Sequence, residues 1–112
     1  MSDRIKKLND LLRDEVGKIL TSELEGIDGV LVTVVGADTS PTLEHVNIRI
    51  SVFPQSQKAT ILKKIKQQIY HIQQTLNKRL VMHPVPKIIF EIDQTEERAA
   101  RIEKLMEKVK EE

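Results

Sequence analysis

VTVVGADTSPTLEHVNIRISVFP, residues 32–54, contains two extended runs and the turn that joins them. In the second run Val46, Ile48, Ile50 and Val52 alternate strictly with Asn47, Arg49 and Ser51, the period-two signature of a half-buried strand. The first run, Val30 to Val35, is short and β-branched and suits a buried strand. Between them Ala37 to Thr42, with Asp38, Ser40 and Pro41, has turn chemistry. The link is too short for a crossover helix, so the two strands are expected to be antiparallel.

The flanks supply the helices. Upstream, Ile5, Leu8, Leu12, Val16, Ile19 and Leu20 recur at three- and four-residue steps, with Ser2 or Asp3 as N-cap and Gly26 and Gly29 beyond the end. Downstream, Ile61, Ile65, Ile69, Ile72, Leu76 and Leu80 form the apolar stripe of a long helix reaching about Val81. His83-Pro84-Val85-Pro86 is extended, because each proline disfavours helix in its predecessor. Lys87 to Ile92 reads as a third strand with Ile88, Phe90 and Ile92 on one face. Thr95 caps a last helix with Glu96 and Glu97 near its positive end, and Ile102, Leu105, Met106 and Val109 as its sparse apolar residues. Residues 106–112 are expected to fray. The order is α-β-β-α-β plus a C-terminal helix, an α+β fold with the helices on one face of a three-stranded sheet. The whole chain, 1–112, reads as one domain without internal repeats.

Composition removes several functions. With no cysteine there is no disulfide, thiolate nucleophile or cysteine–zinc site. His45, His71 and His83 have no metal-ligand spacing, which leaves a metal-sensing ferredoxin-like domain without support. Ser40, Ser51 and Ser56 stand in no nucleophile elbow, and the four glycines form no phosphate-cradling loop. Asp93 reads as a turn residue that accepts backbone N–H bonds. No enzyme, no cofactor and no metal is expected. No apolar run could span a membrane and the N-terminus is charged, so a soluble, cytoplasmic protein is expected.

The net charge of +1 hides a strong asymmetry. Residues 1–44 carry five Lys/Arg and nine Asp/Glu, and residues 91–112 carry five and eight. Residues 45–90 carry eight cations and no acid. Such a block suits a polyanion, and the alternative reading is a set of solvated lysines on a surface helix. With Ile65 facing inward, Lys64, Gln67, His71, Gln74 and Lys78 fall on the opposite side of the long helix, flanked by Lys63 and Lys66. Point charges and amide donors at turn spacing are what phosphate contacts need. Arg79, Arg49 and Lys87 complete the candidate RNA-binding set. Aromatic residues make up only 3%, with Tyr70 near the ridge and Phe53 and Phe90 read as structural. Stacking of bases on the sheet is not expected, and binding should read backbone and shape.

Residues 32–54 also resemble the two-strand region of bacterial ribosome-binding factor A. The likeness lies in the Val-Thr strand, the Ser-Pro turn, the Leu with its polar pair, and the alternating strand ending in Ser-Val. VPKIIFEIDQTEERAARIEKL, residues 85–105, is similar to that family's Pro-x-Ile/Leu-x-Phe strand, its Asp before a Ser/Thr cap and its closing Ile-x-x-Leu helix. With the first helix, the resemblance spans nearly the whole chain. It implies a type II KH-like fold, α-β-β-α-α-β, with the last helix as an extension. It also implies a non-catalytic role in late maturation of the small ribosomal subunit and rRNA processing, near the 5′-end helix of the rRNA and linked to cold adaptation. The implied partners are the small subunit and its rRNA, with a ribosome-associated GTPase besides, and the protein is expected to be a monomer. The chain departs from the family at its Ala-x-Gly helix kink. Ile69, Tyr70 and His71 stand there, with no Gly or Pro between 58 and 83. One unbroken helix is therefore expected, with Lys64, His71 and Lys78 replacing the contact at the kink. The alternative is a protein-interaction or dimerisation α+β domain without RNA binding, whose lysines only keep it soluble.

Overall fold

A computed structural model describes residues 3–94 and 105–106. Helix α1 spans Asp3–Glu23, strand β1 Leu31–Thr39 and β2 His45–Phe53. After a short 3-10 turn at Gln55–Gln57 come α2, Lys58–Gln67, α3, Ile69–Arg79, and β3, Lys87–Ile92. Thr95, Glu96 and Glu97 of the expected last helix lie outside the described residues, as do Ser2 and residues 107–112. Leu105 and Met106 are helical and exposed.

The sheet order is β1-β2-β3, with β1 antiparallel and β3 parallel to the central β2. The period-two pattern of β2 puts Val46, Ile48, Ile50 and Val52 into the core, where Leu12, Val16, Ile19 and Leu20 of α1 meet them. Ile61 and Ile65 of α2, Ile72 and Leu76 of α3, and Ile88 of β3 close the same cluster. Each such side chain contributes about 1.5–3 kcal/mol on burial, so the helices are held to one face of the sheet. The expected α+β, KH-like arrangement is the one observed.

Three local expectations need correcting. First, β1 does not end near Val35. Its register shifts between Val34, opposite Ile50, and Gly36, opposite Arg49, so Val35 is an extra bulge residue. The bulge resets which side faces inward, and Ala37 is then buried opposite Ile48. Asn9 of α1 secures the extended end, its Oδ1 accepting from Thr39 N–H at 2.9 Å and Thr39 Oγ1–H at 2.6 Å. The turn follows at Ser40, whose Oγ accepts from the N–H groups of Glu44 and His45 at 3.1 and 3.2 Å.

Second, the expected single helix is two. Gln68 leaves helical geometry, with φ −104° and ψ 5°. Its N–H lies 3.0 Å from Ile65 O and 3.2 Å from Lys64 O, and its own carbonyl accepts from Ile72 N–H at 2.9 Å. No glycine or proline causes the break. The two halves pack on different supports, α2 on β2 and α3 on α1, and the backbone gives way at the polar residue between them. Third, Phe53 is not a core residue. It falls on the odd-numbered face of β2, away from the helices, and is 72% exposed opposite Leu31.

Gln73 locks α3 to the sheet. Its Oε1 accepts from Ile88 N–H at 2.8 Å, while Nε2 donates to Pro86 O at 3.2 Å and to Asn77 Oδ1 at 3.1 Å. These backbone groups lie on the side of β3 that no strand pairs. Gln73→Leu is expected to cost about 1–3 kcal/mol in urea unfolding by leaving both groups unpaired. It should also speed hydrogen exchange at the Ile88 amide. Unchanged exchange there would mean that the side chain does not hold the strand.

Candidate nucleic-acid interface

The helix pair carries eight of the ten candidate residues. On α2, Lys63, Lys66 and Gln67 are exposed or half-buried and Lys64 likewise stands at the surface, on the sides left over once Ile61 and Ile65 enter the core. On α3, His71, Gln74, Lys78 and Arg79 lie around the buried Ile72 and Leu76, none of them in the core. Lys64 and Lys66 stand in the last turn of α2, and Lys78 and Arg79 in that of α3. Each set therefore also complements the negative end of its own helix dipole.

The structure does not bring Arg49 and Lys87 to this face. Arg49 alternates with the buried Ile48 and Ile50, so it points to the other side of the sheet. There its guanidinium lies over Gly36 and donates from Nε to Asp38 Oδ2 at 3.1 Å. Lys87 precedes the buried Ile88 and stands opposite His45, again on that outer side.

Nor is the ridge free of acids. His71 Nε2 lies 2.9 Å from Glu23 Oε1, and Arg79 donates from Nη1 to Glu15 Oε2 at 3.2 Å. Lys18 also approaches Glu15, at 3.5 Å. Glu15 and Glu23 are eight residues apart on α1, as are His71 and Arg79 on α3, and the pairing order makes the two helices antiparallel. Both carboxylates are only 18% exposed. Their signal was present in the sequence: Glu23 continues the stripe of Leu12, Val16 and Ile19, and Glu15 sits three residues after Leu12. A carboxylate on an apolar stripe wants a cation from a facing element. Among the described residues, no carboxylate comes within 4.0 Å of Lys63, Lys64, Lys66 or Lys78.

Among the described residues, the geometry thus provides four unpaired ammonium groups, amide donors at Gln67 and Gln74, and a guanidinium and an imidazole shared with α1. It can take a chain of phosphates and offers no group arranged for bond cleavage. Among the described residues no cluster of His, Asp and Glu could hold a metal, and no helix is long and apolar enough to cross a membrane.

These features define an α+β domain of type II KH-like order with a cationic face on its helix pair. The chain belongs to the ribosome-binding factor A family, whose family model matches residues 4–106. Ribosome-binding factor A of Mycoplasmopsis pulmonis is 31% identical over 107 residues, covering 96% of this chain and 93% of that protein. The Akkermansia muciniphila protein of the same name is 27% identical over 109 residues, covering 97% and 86%. The crystal structure of ribosome-binding factor A from Thermus thermophilus superposes with a TM-score of 0.69 at 15% identity, over 79% of this chain and 93% of that one. A homology model of the Thermus thermophilus protein, fitted into a cryo-EM map of a 30S complex, gives 0.58 at 16% identity, over 75% and 93%. The family is named for binding ribosomes and not for a reaction.

The Glu15 and Glu23 pairs make a prediction. Replacing both carboxylates with Gln is expected to change stability by no more than about 1 kcal/mol per pair, the usual worth of partly exposed ion pairs. It should also make the protein elute from heparin at higher salt, because His71 and Arg79 lose their anionic partners. Unchanged elution would mean that these carboxylates do not temper the face.

Proposed function

We propose that this protein is a non-catalytic assembly factor of the small ribosomal subunit, binding the subunit and its rRNA during late maturation and rRNA processing. The observation that carries the reading is family membership over residues 4–106. The 30S complex of the Thermus thermophilus protein, which shares the fold, supports it. The cationic face of α2 and α3 supplies the chemistry: Lys63, Lys64, Lys66 and Lys78 meet backbone phosphates, and Gln67 and Gln74 donate hydrogen bonds. In this reading residues 1–112 form one ribosome-binding domain that works in the cytoplasm. A face with an excess of cations resists self-association, which favours a monomer. A ribosome-associated GTPase is proposed as a further partner, to be sought by pull-down with the subunit-bound protein.

The protein should co-sediment with small subunits at low salt and leave them as salt rises. With about three to five phosphates engaged, the log–log slope of RNA affinity against salt should be roughly −2 to −4. Replacing Lys64 and Lys78 together with Gln hardly alters helix propensity, because Lys and Gln rank alike. The double variant should fold normally and lose affinity across rRNA fragments of any sequence. Its salt slope should flatten by about one to two units. Fluorescence anisotropy at several salt concentrations reads both quantities. An unchanged slope would remove this face as the site. A protein that stays in the soluble fraction at low salt would favour the interaction-domain alternative.

A further inference from the structure

Tyr70 is the one aromatic residue on the cationic face, and it is 76% exposed. Among the described residues its hydroxyl has no hydrogen-bond partner, so neither packing nor a polar contact accounts for its position. It follows Lys66 by four residues and precedes Gln74 by four, across a junction whose Gln68 and Ile72 hydrogen bonds keep α2 and α3 in direct succession. On the α2 side, Ala59, Leu62, Lys63, Lys66 and Gln67 line an open depression with an apolar floor and a cationic rim.

Phosphates account for the lysines and glutamines of this face but not for the rest of it. A hydrated phosphate gains nothing from a phenol ring or from the Leu62 floor. Duplex RNA offers a helix face mainly phosphates and 2′-hydroxyls, its base faces being covered by their neighbours. An unpaired base has a free flat face, which an aromatic side chain covers whatever the base identity. We propose that Tyr70 is a stacking platform for an unpaired nucleobase, so that the α2–α3 face takes single-stranded rRNA in preference to duplex. This rests on the RNA-binding reading above and sharpens it. Recognition remains sequence-tolerant, and the stacking surface is a helix, not the sheet.

The test compares Tyr70→Ala, Tyr70→Phe and the Lys64/Lys78 double Gln variant on a labelled RNA of about 12 nucleotides, within the usual site size. The RNA is used single-stranded and annealed to its complement. Tyr70→Ala should weaken single-strand binding roughly fivefold or more, leave its salt slope unchanged, and scarcely affect the duplex. Tyr70→Phe, which keeps the ring, should restore binding. An unaffected Tyr70→Ala beside a weakened lysine variant would overturn the stacking proposal and leave the RNA-binding reading standing. Equal losses on single strand and duplex would also overturn it, because a base face would not then be the target. If the wild-type protein bound neither RNA, the RNA-binding reading itself would fall, and if the lysine variant bound like wild type, this face would not be the site; the stacking proposal falls in either case.

Discussion

The side-chain amide of Gln73 occupies the open edge of β3, taking the Ile88 N–H and bonding the Pro86 carbonyl, while Ile72 and Leu76 on either side of it enter the core. This docking fixes the rest. It sets the rotation of α3, so Tyr70, Gln74 and Lys78 must face outward. It covers an edge that would otherwise present unpaired backbone groups. It also brings His71 and Arg79 against α1, where Glu23 and Glu15 meet them. Because α2 is drawn to β2 and α3 to α1, the chain turns at Gln68, and the junction lies within the cationic face.

Much of this was legible in the amino-acid order wherever a single period held. Four β-branched residues alternating on β2 define the central strand, and a three–four apolar spacing defines the buried sides of α1, α2 and α3. Where two effects compete, the pattern misleads. Val35 breaks the alternation of β1, so Ala37 to Thr39 resembles a turn until pairing with β2 is seen. The residues Ile65, Gln68, Ile69 and Ile72 fit one straight helix as well as two, and only the different partners of each half decide between them. Local sequence carries no record of that choice.

The candidate surface was legible for the same reason that part of it was misplaced. An acid-free block marks eight cations in sequence, but charge says nothing about facing. Strand parity sends Arg49 and Lys87 to the far side of the sheet, and Arg49 finds Asp38 there. Helix periodicity keeps the α2 and α3 lysines together. The acids that temper the ridge come from α1, far along the chain, and no local pattern marks Gln73, whose neighbour Gln74 carries the outward-facing spacing.

The central claim is that the outward face of α2 and α3 is the surface that meets the ribosome. Lysine reactivity toward an amine-acetylating reagent, read by mass spectrometry with and without purified small ribosomal subunits, tests it residue by residue. The account predicts that Lys63, Lys66 and Lys78 become protected on the subunit, while Lys6, Lys7 and Lys18 of α1 and Lys87 on the outer side of the sheet stay reactive. Protection of Lys87 or the α1 lysines, with those of α2 and α3 still modified, would contradict it.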